Sequence, residues 1–248
     1  MRSLWLGLKF AVSYFSVLPV RFRSDDDLSS SEVLGAMLLF FPIVGLLLAL
    51  LTLTLSTLLA PLSWYGILLS AVGYMMLYGF LHTEAVMDVA DALYASHAHK
   101  DPYTIIKEPT VGAMGVLWVI GVMTMKLSGI VFVLLHQLGW YFVAIAMVSR
   151  LLLVLLFWRE VFRSSFATQL KSALTLPYLL GAFLLSGSIG IVLLSWHFVV
   201  LLLTGLGLGI LLLGYLKRRL GFVNGDLLGA TLEGVETLLL VGVACLVP

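Results

Sequence analysis

Three acidic residues, Glu84, Asp88 and Asp91, are spaced so that they share one face of an α-helix. Three carboxylates on one face repel each other unless a cation lies among them. Hard divalent ions such as Mg²⁺ prefer oxygen ligands and often bridge to substrate phosphates. The spacing therefore indicates a metal site, and the competing interpretation is a solvated acidic helix face at a membrane surface.

The polar stretch 81–115 surrounds these acids. With Asp101 and Glu108 it holds five of the 13 acidic residues, although 61% of the 248 residues are hydrophobic and only 11% are charged. His82, just before the acids, can orient a ligand, act as a base or cap the helix. We expect any chemistry to occur in this stretch.

A second group of polar residues follows within the same stretch. Lys107 and Glu108 precede a glycine-containing segment, with Gly112 in it, that can bring a cation and backbone N–H groups to a phosphate at a helix start. His97 and His99 fall in a predicted loop and are weaker candidates for metal binding.

Several charges interrupt apolar segments, where an unpaired charge costs at least a few kcal/mol. Lys126, Arg150, Glu233 and Glu236 are of this kind. Arg150 and the two glutamates fall at comparable depths, so we expect them to pair, either as a structural ion pair or in a polar cavity that receives an anionic substrate. Asp226 opens the last predicted helix, where it can cap that helix or complete the metal cluster.

The elements that must position these residues are membrane helices, because a span needs about 20 mostly apolar residues. The sequence predicts an all-α integral membrane protein with a single domain, 1–248, and a cavity open to the cytoplasm. Seven spans are expected, at 33–58, 64–83, 113–135, 139–158, 176–195, 197–216 and 227–247.

The N-terminal segment 1–20 resembles a signal peptide, but Lys9 interrupts its apolar run and no small-residue cleavage site follows. We expect it to be retained as an interfacial or partly inserted helix, and the alternative is a full membrane span. The single cysteine, Cys245, excludes an internal disulfide and a cysteine-based metal site within one chain.

Charge predicts the orientation of these spans. Basic residues gather in the loops 21–32, 84–112, 159–175 and 217–226, whereas the opposite connections near 60–63, 136–139 and 195–197 contain no Lys, Arg, Asp or Glu. By the positive-inside rule the basic side is cytoplasmic. We therefore expect a multi-pass protein of the cell's inner membrane with its site facing the cytoplasm.

At these residues the sequence resembles the cobalamin synthase family, the adenosylcobinamide-GDP ribazoletransferases. The family pattern L-H-L-D-G-L-A-D-T-A-D-G corresponds to residues 81–92, and I-M-K-D-S-R-x-G-x-x-G corresponds to 105–115. A Ser-Arg pair matches Ser149 and Arg150, and T-G-D-x-x-G-A-x-x-E matches 224–233. F-P-x-V-G and L-P-V also have counterparts near the N-terminus, so the resemblance covers nearly the whole chain.

The chain departs from this pattern at a few positions. Ala85 and Ala92 replace glycines, and Glu84 replaces a shorter acid. Thr110 stands where an arginine is usual, which removes one phosphate contact, and Asn224 stands where threonine is usual.

The resemblance implies a phosphotransfer in which a hydroxyl of α-ribazole, or of its 5′-phosphate, attacks adenosylcobinamide-GDP and releases GMP. It implies Mg²⁺ on Glu84, Asp88, Asp91 and Asp226, and catalytic roles for His82, Asp88, Asp91, Lys107 and Arg150. The implied substrate contacts are Lys107, Glu108, Gly112, Ser149, Arg150, Asn224, Asp226 and Glu233. The implied partners are the two substrates and the lipid bilayer, without nucleic acid; a homo-oligomer and contacts with other cobamide-assembly enzymes stay open.

Two alternatives remain at this point. A CDP-alcohol phosphotransferase-like enzyme also uses paired acids at the cytoplasmic face, but its tighter D-x-x-D-G-x-x-A-R pattern is absent here. A cation-coupled transporter would line its pathway with Lys126, Arg150 and Glu233, yet transporters place ionisable groups near the midplane and on both sides. The polar residues here gather on one side, which favours catalysis at the membrane surface.

Overall fold

The computed structural model describes residues 2–95, 101–108 and 110–246, and the regular structure within these ranges is entirely helical. Its helices are α1 (Arg2–Phe15), α2 (Ser31–Leu58), α3 (Trp64–Leu77), α4 (Leu81–Ala95), α5 (Pro102–Lys107), α6 (Ala113–Leu135), α7 (Gly139–Arg159), α8 (Ser165–Ala173), α9 (Leu176–Leu194), α10 (Trp196–Leu220) and α11 (Gly225–Leu246). A short 3-10 helix, Ala60–Leu62, joins α2 to α3. The expected all-α architecture is confirmed.

Six helices in the described ranges are long and apolar enough to cross a membrane: α2, α6, α7, α9, α10 and α11. Helices α3 and α4 meet the same test only as a pair, and they are bent by 76° at the break between them. The chain is therefore a multi-pass helical membrane protein with six uninterrupted spans and one broken pair.

Helix α7 lies at the centre of the bundle. In its most apolar window 83% of the residues are buried, against 67% in α2 and α11 and between 22% and 28% in α6, α9 and α10. It packs against α2, α9, α10 and α11. A helix that is apolar all round is usually buried all round, and the less buried helices present their apolar sides to lipid.

The predicted straight span 64–83 is wrong, because the helix breaks inside it. Helix α3 ends at Leu77, and the chain turns through Gly79 and Phe80 before α4 begins. Both residues have left-handed backbone angles, with φ of 63° and 56°. Glycine adopts this conformation readily, whereas phenylalanine does so at a cost. Average hydropathy does not register such a turn, so the last three residues of the predicted span, 81–83, belong instead to the polar helix α4.

Helix α1 packs along α2 and is too short to cross the membrane. Its 14 residues measure about 21 Å, against about 30 Å for the hydrocarbon core. Its contact with α2 is close, because a Cβ on Gly7 would lie 2.3 Å from the Cβ of Ala36. This agrees with the expectation of an interfacial or partly inserted helix.

Gly45 allows α2 to approach the central helix α7, and this approach generates a prediction. A Cβ at Gly45 would lie 2.3 Å from the carbonyl oxygen of Ala146, one turn before Arg150. We expect Gly45→Ala to lower stability by about 1–3 kcal/mol, because α2 and α7 must separate. Thermal unfolding in detergent micelles measures the effect.

The matched control is Gly121→Ala on α6, where an added Cβ meets no atom within 4 Å. This variant gains helix propensity of up to about 1 kcal/mol and should be at least as stable as the wild type. Equal stability of Gly45→Ala and Gly121→Ala would contradict the proposed close packing of α2 on α7.

Candidate active site

Helix α4 presents its acids on one side and packs its other side into the bundle. Glu84 is exposed, and Asp88 and Asp91 are partly exposed. The buried side of α4 contacts α11 and α6. Its approach to α11 is close, because a Cβ on Gly229 would lie 2.8 Å from the Cβ of Ala85. The predicted amphipathic acidic helix is therefore present.

Asp226, in the first turn of α11, adds a fourth carboxylate beside this face. The pKa of Asp88 is raised to about 6, first by burial and then by the negative charges of Asp226, Glu84 and Asp91. The positive charge of Lys107 acts in the opposite direction. Helix α4 is not one of the six uninterrupted spans, and Asp88 is accessible from its polar side. Excess negative charge is thus concentrated around Asp88.

Asp91 makes contacts that its spacing did not predict. Its two carboxylate oxygens accept the backbone N–H groups of Gly112 and Gly115, each at 2.6 Å. A Cβ at either glycine would lie 2.5 Å from an Asp91 oxygen and would displace that carboxylate. At Gly115 it would also lie 2.6 Å from the backbone oxygen of Met87, so this position requires glycine. Asp91 thereby caps the start of α6 and uses the N–H groups that we had expected to bind a phosphate.

Lys107 ends the short helix α5 next to the acidic face. It is exposed, and its Nζ lies 5.8 Å from the ring of Tyr103. Asp101 caps α5 by accepting the N–H of Tyr103 at 3.2 Å and contacts Arg163 at 3.3 Å. Glu108, the next residue after Lys107, is also exposed. These contacts hold α5 so that the positively charged side chain of Lys107 lies near Asp88.

Asn224 and Asp226 form the start of α11. The amide of buried Asn224 donates to the Asp226 carboxylate at 2.6 Å, and its carbonyl oxygen accepts the N–H of Leu227 at 3.0 Å. One side chain therefore caps the helix and orients a carboxylate of the acidic face.

His82 lies on the buried side of α4 and is only 5% exposed. The rings of Phe15, Phe41 and Tyr78 surround it, with centroids 6.1 to 6.4 Å from the imidazole. It is therefore shielded from the acidic face that carries the exposed carboxylates.

Below His82 lies a fully buried charge cluster formed by Lys126, Arg150, Glu233 and Glu236. Lys126 Nζ contacts Glu233 Oε1 at 2.7 Å and Glu236 Oε1 at 2.8 Å, and Arg150 contacts the other oxygen of Glu236. The side chains are between 0% and 2% exposed. Two positive and two negative charges thus neutralise each other inside the bundle, as the predicted pairing of Arg150 with the glutamates required.

Three hydroxyl groups extend this cluster. Tyr74 donates to Glu236 at 2.9 Å, Tyr78 donates to Glu233 at 3.0 Å, and Ser149 donates to Glu236 at 2.7 Å. The hydroxyl of Tyr78 also lies 3.1 Å from that of Thr83 on α4. The cluster is therefore linked by hydrogen bonds to the helix that carries the acids.

The structure brings some predicted site residues together and keeps others apart. Around the acidic face it gathers Glu84, Asp88, Asp91, Asp226, Asn224, Lys107, Glu108 and Gly112, and it places Ser149, Arg150 and Glu233 in the buried cluster. In the described part of the chain no three His, Cys, Asp or Glu side chains are grouped closely enough to hold a metal ion as they stand. His97 and His99 lie outside the described residues. The roles of these residues stay predictions.

Sequence reasoning did not find Tyr74 and Tyr78, nor the bridging position of Lys126 between two glutamates. Two tyrosines four residues apart in an apolar helix were the available signal, because a buried tyrosine hydroxyl usually needs a polar partner. The partners, Glu233 and Glu236, could not be predicted because they are more than 150 residues away in the sequence.

The fold and the site define a class: a polytopic helical membrane protein with an acidic helix beside the start of α11 and a neutral charge cluster beneath it. The chain belongs to the cobalamin-5-phosphate synthase family, which it matches over residues 7–244. No solved structure matches it.

Curated relatives match over nearly their whole length. One from Pseudomonas fluorescens (strain Pf0-1), named adenosylcobinamide-GDP ribazoletransferase, is 31% identical over 98% of this chain and 99% of its own. Proteins of the same name from Chlorobaculum tepidum and Clostridium perfringens are 30% and 28% identical, over 93% and 95% of this chain and 91% and 96% of their own. The resemblance inferred from the motifs is confirmed.

The buried cluster generates a prediction about stability. Lys126→Met leaves Glu233 without its cation, and breaking a buried pair in this way costs about 3–5 kcal/mol. Adding Glu233→Gln removes the stranded charge and leaves the Arg150–Glu236 pair, so the double variant should recover most of the loss. Thermal unfolding of both variants in detergent micelles tests this, and a double variant as unstable as Lys126→Met would contradict it.

Asp88 and Asp91 of α4 should respond differently when each is replaced by asparagine. Asp91→Asn leaves one carbonyl oxygen for two N–H groups, which should cost about 1–3 kcal/mol. Asp88→Asn removes a repelled charge and should not destabilise the protein. Thermal unfolding with a chelator present compares them, and equal losses in both variants would argue against the capping role of Asp91.

The pH dependence of Asp88 has a definite sign. Folding raises the pKa of the Asp88 carboxyl from its ordinary value of 3.8 to about 6, so its protonated form favours the folded state. This contribution to stability is fully present when the pH is below 3.8 and is lost as the pH rises through 6. With chelator, the melting temperature of the wild type should therefore fall more between pH 4.5 and pH 7.5 than that of Asp88→Asn. Parallel curves would show that Asp88 titrates normally.

Proposed function

We propose that this protein transfers the adenosylcobinamide-phosphate group of adenosylcobinamide-GDP to α-ribazole or its 5′-phosphate. A ribose hydroxyl oxygen attacks the phosphorus attached to the cobinamide arm, the bond from that phosphorus to the oxygen of GMP breaks, and GMP leaves. The product is adenosylcobalamin or its 5′-phosphate. The full-length match to relatives of this name carries the proposal, and the acidic face beside Lys107 supports it.

The proposed site lies at the cytoplasmic face of the cell's inner membrane. Helix α10 ends, and helices α6 and α11 begin, on the side where the acidic face lies. Arg159, Arg163, Lys171 and the basic end of α10 fall on the same side. Positive residues accumulate on the cytoplasmic side of membrane proteins, so both substrates would arrive from that compartment.

The acidic face fits a divalent cation by its chemistry. Its donors are all carboxylate oxygens, and the pKa of Asp88 is raised first by burial and then by repulsion from the other carboxylates. Glu84, Asp88 and Asp226 would have to draw closer together to hold Mg²⁺, whereas Asp91 already accepts two N–H groups of α6. Bound Mg²⁺ would neutralise charge on the diphosphate during transfer.

The chain's own residues supply the other proposed roles. Exposed Lys107 would pair with a phosphate oxygen. A carboxylate of the acidic face is better placed than buried His82 to take the proton from the attacking hydroxyl. Arg150, Ser149 and Glu233 would act by fixing α11 and α4, because their side chains are buried and already paired. Arg150 and Ser149 bind Glu236, and Glu233 binds Lys126 and Tyr78.

The transporter alternative loses its support at these residues. Lys126, Arg150 and Glu233 would have to line its pathway, but in this structure they are buried and occupied by ion pairs. A site at one membrane face agrees better with a phosphotransfer than with a route across the bilayer.

The test is GMP release by purified protein in liposomes that contain adenosylcobinamide-GDP and α-ribazole 5′-phosphate. We expect release with Mg²⁺, no release after chelation, and a fall of at least about 100-fold in Asp88→Asn, since losing metal-assisted charge stabilisation costs several kcal/mol. Mg²⁺ should also raise the melting temperature of the wild type but not of Asp88→Asn.

The matched control is Asp25→Asn, an exposed acid of the N-terminal loop that pairs with Arg2. It should release GMP at the wild-type rate. Chelator-resistant release would refute the metal assignment, and no release by folded protein under any condition would refute the proposed transfer.

A further inference from the structure

A large groove lies on the opposite side of α4 from the acids. Helices α4, α6, α10 and α11 enclose about 500 Å³ there, and Val86, Ala90, Met125 and Leu238 are among the apolar side chains that line it. Arg219, in the last turn of α10, is the charged residue in its lining. The groove is thus apolar along its length and basic at one end.

The groove opens onto the surface that faces lipid. Trp118, Met125, Tyr215 and Leu238 line it and are each between 44% and 55% exposed. Three of its four helices are spans. A molecule that enters from this side comes from the bilayer.

The length of the groove corresponds to one leaflet. Counting 1.5 Å per residue from the membrane face where Arg219 lies, Met125 is about 18 Å along α6 and Leu238 about 20 Å along α11. Half of the hydrocarbon core is about 15 Å. If each methylene takes about the 30 Å³ that a water molecule takes in the liquid, 500 Å³ holds a chain of roughly 16 carbons.

The ends of the groove match the two parts of a phospholipid. Tyr94 and Trp118 pair at a ring distance of 6.4 Å, and such aromatic residues favour the interface between lipid and water. Arg219 presents a guanidinium to a phosphate, and Lys217 and Arg218 add positive charge beside it. A net positive end favours an anionic headgroup.

We propose that this groove binds one anionic phospholipid, with an acyl chain along α4 and the headgroup phosphate on Arg219. The lipid packs against the back of the helix that carries Glu84 and Asp88. The same position excludes the nucleoside substrate as the regular occupant, because a hydroxyl bound there would lie across α4 from the acidic face.

The experiment is native mass spectrometry of the full-length protein in detergent, titrated with phosphatidylglycerol or with phosphatidylcholine of identical chains. We expect one retained lipid, with phosphatidylglycerol bound about fivefold more tightly. Arg219→Gln should abolish that preference. Arg218→Gln, which removes a neighbouring charge outside the groove lining, should lose only a small part of it.

A second pair of variants tests the apolar walls. Val122→Trp fills the groove from α6 and should weaken binding of both lipids at least tenfold. Val192→Trp places the same ring at an 85% exposed position of α9, outside the groove, and should bind as the wild type does.

Three outcomes would overturn the proposal. Equal loss of preference in Arg218→Gln and Arg219→Gln would indicate general surface charge. Unchanged binding in Val122→Trp would place the lipid elsewhere. Displacement of phosphatidylglycerol by α-ribazole 5′-phosphate would assign the groove to the nucleoside.

Discussion

The structure depends on the mutual neutralisation of four charges inside the bundle. Lys126 comes from α6, Arg150 from α7, and Glu233 and Glu236 from α11. None of these charges is tolerable alone in a low-dielectric interior, so the three helices must meet in one register. Tyr74, in the last turn of α3, and Tyr78, directly after it, add the end of α3 to the same contact. The cluster therefore determines which helices are neighbours and at what depth.

The position of the acidic face follows from this cluster. Tyr78 directly follows α3, just before the chain turns through Gly79 and Phe80. Its hydroxyl meets Thr83 in the first turn of α4, so the break is held from both sides. The bend of 76° turns α4 away from the direction of α3. Polar residues that a straight span would have placed in lipid therefore lie along the side of the bundle where α11 begins.

Much of this architecture could be predicted from the sequence. Apolar length alone predicted the six uninterrupted spans to within a few residues, because lipid requires continuous helices of about 20 residues. The spacing of Glu84, Asp88 and Asp91 placed them on one helix face, and the depth of Arg150 predicted its pairing with a glutamate of α11. These predictions succeeded because they depend on one helix at a time or on the high energy of an unpaired charge.

The missed features depend on contacts between distant segments. The break at Gly79 is a backbone property that an average over 20 residues conceals. Asp91 shares a helix face with the metal candidates, and only the approach of Gly112 and Gly115 shows that its oxygens are occupied. The lipid-facing groove needs four helices and has no motif. Spacing can propose a set of ligands, but it cannot show which member another helix already uses.

Asn224 shows how a departure from the family pattern can keep its chemistry. Where threonine is usual, a hydroxyl can accept one hydrogen bond and donate another. The Asn224 side chain does both, accepting the N–H of Leu227 and donating to Asp226. The two contacts of Asn224 fix the start of α11 and the direction of a carboxylate on the acidic face, and they use the same donor and acceptor functions that a threonine hydroxyl offers. The substitution therefore gives no reason to expect a different reaction, and the acidic face retains its charge and its support.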